Sequence, residues 1–347
     1  MGGGVCSGVD GRARVVGVKR RLVLAALGSG AVVAPQWARA QGGKVWHIGM
    51  LDTVPEAQNG DNLDALRGAL RELGYQEGRN LKLVYRSADG AGERFAKLAL
   101  ELVELRPDLI VIRGTPAAVA AKAATAAGAS AARIPVVMAA IGDPLIVVGS
   151  LSRPGGNLTG LTSLSVDLEA KRVQLLRECV PQAKRIAALY NMGNPSYPRR
   201  WQETEAAARA LGLHALQLDV RHTDTFEAAF GQARRQQVQA LLVGQDGLMQ
   251  SNRKLIASLA AQYRLPAMYG SIDFVEAGGL FAYGPHYADM YRRAATYVHK
   301  IFKGATPAEL PIEQPTRFEL IINLAAARAM GLVVPQALRL RADRIIE

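Results

Sequence analysis

A strand–helix alternation that runs through the chain twice most constrains its fold. Apolar, β-rich runs lie at Val45–Leu51, Leu81–Arg86, Leu109–Arg113 and Pro135–Ala139. Helical spacing follows the first three, at Asn62–Leu73, Glu93–Leu105 and Pro116–Ala127. The pattern restarts at Arg185–Tyr190, Ala215–Val220, Ala240–Gly244 and Pro266–Gly270, with helical stretches at Ser196–Leu211, Thr225–Gln236 and Gln250–Tyr263. Near-continuous apolar strands between amphipathic helices indicate a parallel sheet covered on both faces. Two such series predict an α/β chain of two doubly wound, Rossmann-like lobes, parted in the Gly- and Pro-rich stretch Ser152–Thr162.

The tail is too short for a third domain. Gly278–Gly284, Ala288–Phe302 and Leu310–Asn323 supply too few elements to bury a core and are expected to return to the two lobes. The predicted boundaries are 41–160 plus 281–312 for the first lobe and 161–280 plus 313–347 for the second. Several chain crossings between lobes suit a hinge better than one linker does.

The amino end is read apart from the fold. From Leu22 to Ala34 there are thirteen uncharged residues, apolar except for Gly28, Ser29 and Gly30. A helix needs about 20 apolar residues to cross the hydrocarbon layer, so a stable span is not expected. The basic lead Lys19-Arg20-Arg21, the helix-breaking Pro35 and the small residues Ala38 and Ala40 have the order of an export signal cleaved after Ala40. Arg20-Arg21 leaves both the general secretory and the twin-arginine route open. Removal of residues 1–40, with six basic and one acidic residue, lowers the formal charge from +12 to +7. No Lys/Arg run suggests a nucleic-acid track. Cys6 leaves with the signal, so Cys179 has no internal disulfide partner.

In open parallel sheets ligands bind beyond the carboxyl ends of strands, against helix N-termini. Asp52-Thr53, Gly114-Thr115-Pro116 and Gly142-Asp143-Pro144 stand there in the first series; Asn194-Pro195-Ser196, Gln245-Asp246 and Tyr269 do so in the second. Thr115 or Asp143 can cap a helix with Pro116 or Pro144 at its first position. Several helix N-termini facing one cleft suit a ligand carboxylate. Tyr269 and Tyr283 are candidate walls. Enzyme signatures are missing: the five histidines make no metal-ligand spacing, and there is no G-x-S-x-G elbow, P-loop or complete dinucleotide fingerprint. Neither cofactor nor metal is expected, and Cys179 reads as a packed thiol.

With these residues assembled, the chain resembles the periplasmic substrate-binding proteins of ABC transporters, in the tryptophan/tyrosine-type branch. G-D-P at Gly142, R-P-G-G-N-L-T-G at Arg153, G-G-L-x-x-Y-G at Gly278 and P-T-x-F-E-L-x-I-N at Pro315 occur in that order. The resemblance implies a type I periplasmic binding fold that closes on a small organic ligand at the interlobe cleft, an amino acid or related carboxylate, and delivers it to an inner-membrane ABC permease. It implies a monomer free in the periplasm that does not bind nucleic acid. Its cleft loops fall on Thr115, Pro116, Asp143, Pro144, Asn194 to Ser196, Gln245, Asp246, Tyr283 and Gly284. Asp52-Thr53 replaces the Ser/Gly-rich turn usual in relatives, so Asp52 is expected to favour an amine or cation. Two rivals differ in class. A transcription regulator would carry a DNA-binding helix-turn-helix where this chain has its export signal. An exported enzyme would use Asp143, Asp246 or His286 as acid or base.

Overall fold

The computed structural model describes Met1, residues 44–126 and residues 134–347. The export-signal reading, residues 1–40, lies outside the described residues. Residues 44–347 form one compact unit.

The first series folds as β1 (Trp46–Asp52), α1 (Gly60–Glu72), β2 (Leu81–Ser87), α2 (Phe95–Glu104), β3 (Leu109–Arg113), α3 (Thr115–Ala126), β4 (Val136–Ile141) and β5 (Leu158–Thr162). These strands make a five-stranded parallel sheet in the order β2-β1-β3-β4-β5. The second series gives α4 (Glu169–Cys179), β6 (Arg185–Tyr190), α5 (Tyr197–Ala210), β7 (His214–Asp219), α6 (Phe226–Arg235), β8 (Ala240–Val243), α7 (Gly247–Ser251), α8 (Arg253–Gln262), β9 (Ala267–Tyr269) and α9 (Ile272–Glu276). The tail adds β10 (Phe281–Pro285), α10 (Tyr287–Phe302), β11 (Phe318–Asn323), α11 (Leu324–Ala329), α12 (Gln336–Arg341) and β12 (Arg344–Ile346). A seven-stranded sheet runs β12-β11-β10-β9-β8-β6-β7. All its pairings are parallel except β10–β11.

Apolar side chains on both faces of each sheet account for the helical cover. In the first lobe Leu63, Leu66 and Leu70 of α1 and Tyr291, Ala294 and Val298 of α10 pack one face, while Leu98 and Leu102 of α2 and Ala118 and Ala121 of α3 pack the other. In the second, Phe226 and Phe230 of α6 and Ile256 of α8 cover one face, and Leu175 and Leu176 of α4 and Leu338 of α12 the other. The alternation in the sequence is this sandwich read along the chain.

Two details of the expected boundaries are corrected. Phe281–Pro285, expected in the first lobe, is a strand of the larger sheet, because it pairs β9 on one side and β11 on the other. Residues 161–162, expected in the second lobe, complete β5 beside β4. The chain passes between lobes after β5, after β10 and before β11, and α10 lies wholly on the first lobe against α1.

Gly160 makes the closeness of β5 and β4 possible. It has φ +131°, and a Cβ there would stand 2.3 Å from the Met138 carbonyl oxygen. Gly155, at φ +68°, has open space around it. Gly155→Ala is expected to cost about 1 kcal/mol, the ordinary left-handed penalty, and Gly160→Ala at least about 3 kcal/mol, since backbone must also shift. Thermal melts of the two variants against the parent check this ordering.

Candidate functional site

Each sheet reverses its strand order once: between β1 and β3 in the first lobe, and between β6 and β8 in the second. The carboxyl ends at these two switch points face each other, as doubly wound sheets require of a ligand site. Between them lies a cavity of about 50 Å³. The first lobe contributes Thr53 after β1, Arg113 at the end of β3, Thr115 and Pro116 at the start of α3, and Ser163 and Ser165 after β5. The second contributes Asn194 and Ser196 after β6, Arg200 in α5, Gln245 and Asp246 after β8, and Gln250 in α7. Tyr287, at the start of α10, completes the wall.

Of the residues expected from the sequence, Thr53, Thr115, Pro116, Asn194, Ser196, Gln245 and Asp246 line this cavity. Six others stand elsewhere. Asp52 is fully buried behind the wall, with both oxygens engaged. Its Oδ1 accepts from the backbone N–H of Thr53 at 2.7 Å and Val54 at 3.2 Å; its Oδ2 accepts from Asn59 at 2.9 Å and the Tyr291 hydroxyl at 3.0 Å. A carboxylate so occupied has no acceptor left for an amine, which corrects the role expected for it. Asp143 and Pro144 line a separate cavity of about 350 Å³, beside Arg199 and Gln314. Asp143 caps a single turn of 3₁₀ helix through the Leu145 N–H at 3.2 Å, with Pro144 at its first position. Its other oxygen meets Arg199 of the second lobe at 3.4 Å. Tyr269 is fully buried and stacked on Phe274 at 4.7 Å. Tyr283 stacks on Phe318 instead of facing the cavity. Gly284 lines a groove of about 470 Å³ on the far side of Tyr287.

Sequence reading missed Arg113, Ser163, Ser165, Arg200, Gln250 and Tyr287. Arg113 left a trace, as the one charge ending the otherwise apolar Leu109–Ile112 run. It lies 3.7 Å from Asp52 and donates to Asn59 Oδ1 at 3.0 Å. Burial pulls its pKa down, but the neighbouring Tyr291 and Asp52 outweigh this and the net shift is upward. Burial raises the pKa of Asp52, with Arg113 and the Val54 N–H working against it. In the second lobe Glu169 holds two guanidinium groups. Arg172 reaches its Oε1 at 3.2 Å, Arg200 Nε donates to the same oxygen at 2.6 Å, and the Tyr190 hydroxyl donates to Oε2 at 3.0 Å.

Several buried polar atoms of the residues lining the cavity have no protein partner: both ends of the Gln245 amide, Asp246 Oδ2 and Gln250 Oε1. Native interiors leave few such atoms unmatched, so a cluster of them marks a place completed by something else. Among the described residues no group of three or more His, Cys, Asp or Glu side chains could hold a metal ion. Asp143, Asp246 and His286 line three different cavities.

The family model for ABC transporter substrate binding proteins matches residues 53–346. The chain belongs to that family. A tyrosine-binding protein of Clostridioides difficile is 25% identical over 267 residues, 76% of this chain and 74% of that protein. A conserved domain protein of Vibrio cholerae superposes with TM-score 0.80 at 27% identity, over 87% of this chain and 100% of that one. An ABC domain from Streptococcus pneumoniae in complex with L-Trp gives TM-score 0.78 at 26% identity, over 87% and 99%. As a substrate-binding protein with the type I periplasmic fold, the chain is a solute receptor of an ABC transporter. No described helix is long and apolar enough to cross a membrane.

Removing the charge of Asp52 leaves Arg113 buried without its partner, which typically costs about 3–5 kcal/mol. Asp52→Asn should lose stability on that scale. Adding Arg113→Met should restore part of it, so the double variant loses less than the sum of the singles. Denaturant midpoints of the four proteins in the cycle test this.

Proposed function

We propose that this substrate-binding protein captures a free amino acid between its lobes, and that each lobe holds one end of the zwitterion. Asp246 carries the reading: its Oδ1 is held by the Met249 N–H at 3.0 Å, while its buried Oδ2 has no protein partner. Arg200 already lends positive charge nearby, and a ligand ammonium supplies the donors that Oδ2 is missing. Across the cavity the carboxylate meets Arg113 and the N-terminus of α3 at Thr115, where free N–H groups and the helix dipole favour an anion. The ligands for which two of the relatives are named, tyrosine and L-Trp, agree with an amino-acid head group. On this reading Thr53, Thr115, Pro116, Asn194, Ser196, Gln245 and Asp246 contact the solute, with Arg113, Arg200 and Gln250.

A ligand touched by both lobes shifts the hinge toward the closed form, because only that form offers both sets of contacts. A micromolar solute supplies about 8 kcal/mol, more than the few needed to reverse an open-favoured hinge. The protein then works as an exported monomer, cleaved after Ala40, that presents the closed form to an inner-membrane permease and performs no chemistry on its cargo.

Protein stripped of bound solute by unfolding and refolding should melt on the order of 10 °C higher with 1 mM of its amino acid if Kd is near 1 μM. No shift with any amino acid sinks the assignment. The pH dependence has a definite sign. Burial raises the Asp246 carboxyl above its usual range, against the Met249 N–H and Arg200. In the ligand-free protein this group favours the folded state as pH falls through its raised pKa, and that stability is lost as pH rises. Binding an ammonium needs the ionised form, so affinity should fall as acidification carries the solution through that raised pKa. Asp246→Asn should weaken binding at least 100-fold at pH 7.5 and flatten that slope in calorimetric titrations.

A further inference from the structure

We infer that the ligand is a compact amino acid with a hydroxyl or carboxamide side chain, and that Gln245 is the residue that selects it. The inference rests on the amino-acid reading above and concerns what lies beyond the shared head group.

The cavity is small, about 50 Å³, and beyond the head-group residues Ser163, Ser165, Asn194, Ser196, Gln245 and Gln250 line it, beside the small apolar patches of Pro116 and Ala140. Among the described residues Tyr287 is its one aromatic side chain, and the Arg113 guanidinium already lies 5.5 Å from that ring. An indole or phenol ring gains its binding energy by burying a large apolar face, and beside Tyr287 only the small side chains of Pro116 and Ala140 are there to receive one. The two tyrosines that could have supplied one face other rings, Phe274 and Phe318. The adjoining groove of about 470 Å³ does not substitute, since Asp61, Arg253, Lys254, Asp273, Glu319 and Arg344 line it.

The unmatched atoms state what the side chain must carry. Gln245 has a buried donor and a buried acceptor, both without partners. Gln250 donates to Asp273 Oδ2 and leaves its own buried Oε1 free. A carboxamide or hydroxyl gives and takes a hydrogen bond at once and can answer both ends of Gln245; an apolar side chain would bury them unmatched, and a phenol hydroxyl would bring a ring that needs more apolar wall than the cavity has. Sites built to hydrogen-bond a ligand group reject analogues that lack it by large factors, which a purely apolar pocket cannot do. Gly270 leaves room for the amide, because a Cβ there would stand 2.4 Å from Gln245 Oε1.

Calorimetric titration of solute-stripped protein with L-serine, L-threonine, L-asparagine, L-glutamine, L-tryptophan and L-tyrosine decides the matter. At least one of the first four should bind at micromolar concentration, and both aromatic amino acids at least 100-fold more weakly. Tryptophan or tyrosine binding as tightly as any polar amino acid overturns this inference while the amino-acid reading stands. Silence from all six, with binding of another proteinogenic amino acid, likewise overturns it alone; silence from every amino acid overturns both. Gln245→Met should weaken the polar ligand at least tenfold while the ligand-free melting temperature holds or rises, since an unmatched amide is removed. If that variant loses its cooperative melt, Gln245→Glu, which keeps size and acceptor but loses the donor, takes its place. Unchanged affinity in the folded variant overturns the role given to Gln245.

Discussion

The site depends on how buried positive charge is held. Each lobe carries one guanidinium group to the cavity from inside its regular structure and holds it with one carboxylate: Asp52 for Arg113, and Glu169, which also binds Arg172, for Arg200. A buried ion pair rarely adds net stability, because desolvation offsets the attraction, yet removing one partner is severe. Its use here is positional. Arg113 sits at the last residue of β3 and Arg200 in the first turn of α5, so backbone and carboxylate together fix where the charge faces the solute. Asn59, Tyr85 and Tyr291 extend the first network from α1 and β2 to α10, tying the switch point of the first sheet to the helix that follows the hinge.

Most of the fold could be read along the chain, since each strand is a short apolar run and each helix has the right period. Leu109–Arg113 and Arg185–Tyr190 begin and end where the sequence places them. The failure at Phe281–Pro285 is physical. Its sheet is chosen by pairing with β11, more than thirty residues later and antiparallel, and no local signal encodes that partner.

The site was half legible for a related reason. Residues on loops after strands, such as Thr53, Asn194 and Gln245, follow from the rule for parallel sheets. That rule names the end of a strand but not the direction of a side chain. Asp52 and Tyr269 each close a strand, and both turn into the protein, one to anchor its own loop and the other to stack on Phe274. Arg200, Gln250 and Tyr287 come from helices, where a polar residue in sequence looks like any solvated face. Only the opposing lobe makes them cavity walls.

The contacts between lobes outside the cavity explain why the solute can control closure. Arg199 meets Asp143 on one side and Arg253 donates to Gln58 at 2.7 Å on the other. Arg199 is 47% exposed, so its pair is worth about 0–1 kcal/mol. Backbone meets backbone where α7 begins, since a Cβ on Gly247 would stand 2.8 Å from the Thr53 carbonyl oxygen. A glycine there lets the first-lobe loop settle on the second lobe without adding an adhesive side chain. Weak latches and a bare backbone contact bring the lobes into register while leaving most of the closing free energy to be supplied from the cavity. Stronger latches would hold the lobes shut whether or not a solute was present, and the closed form would then carry no information for a transporter to read.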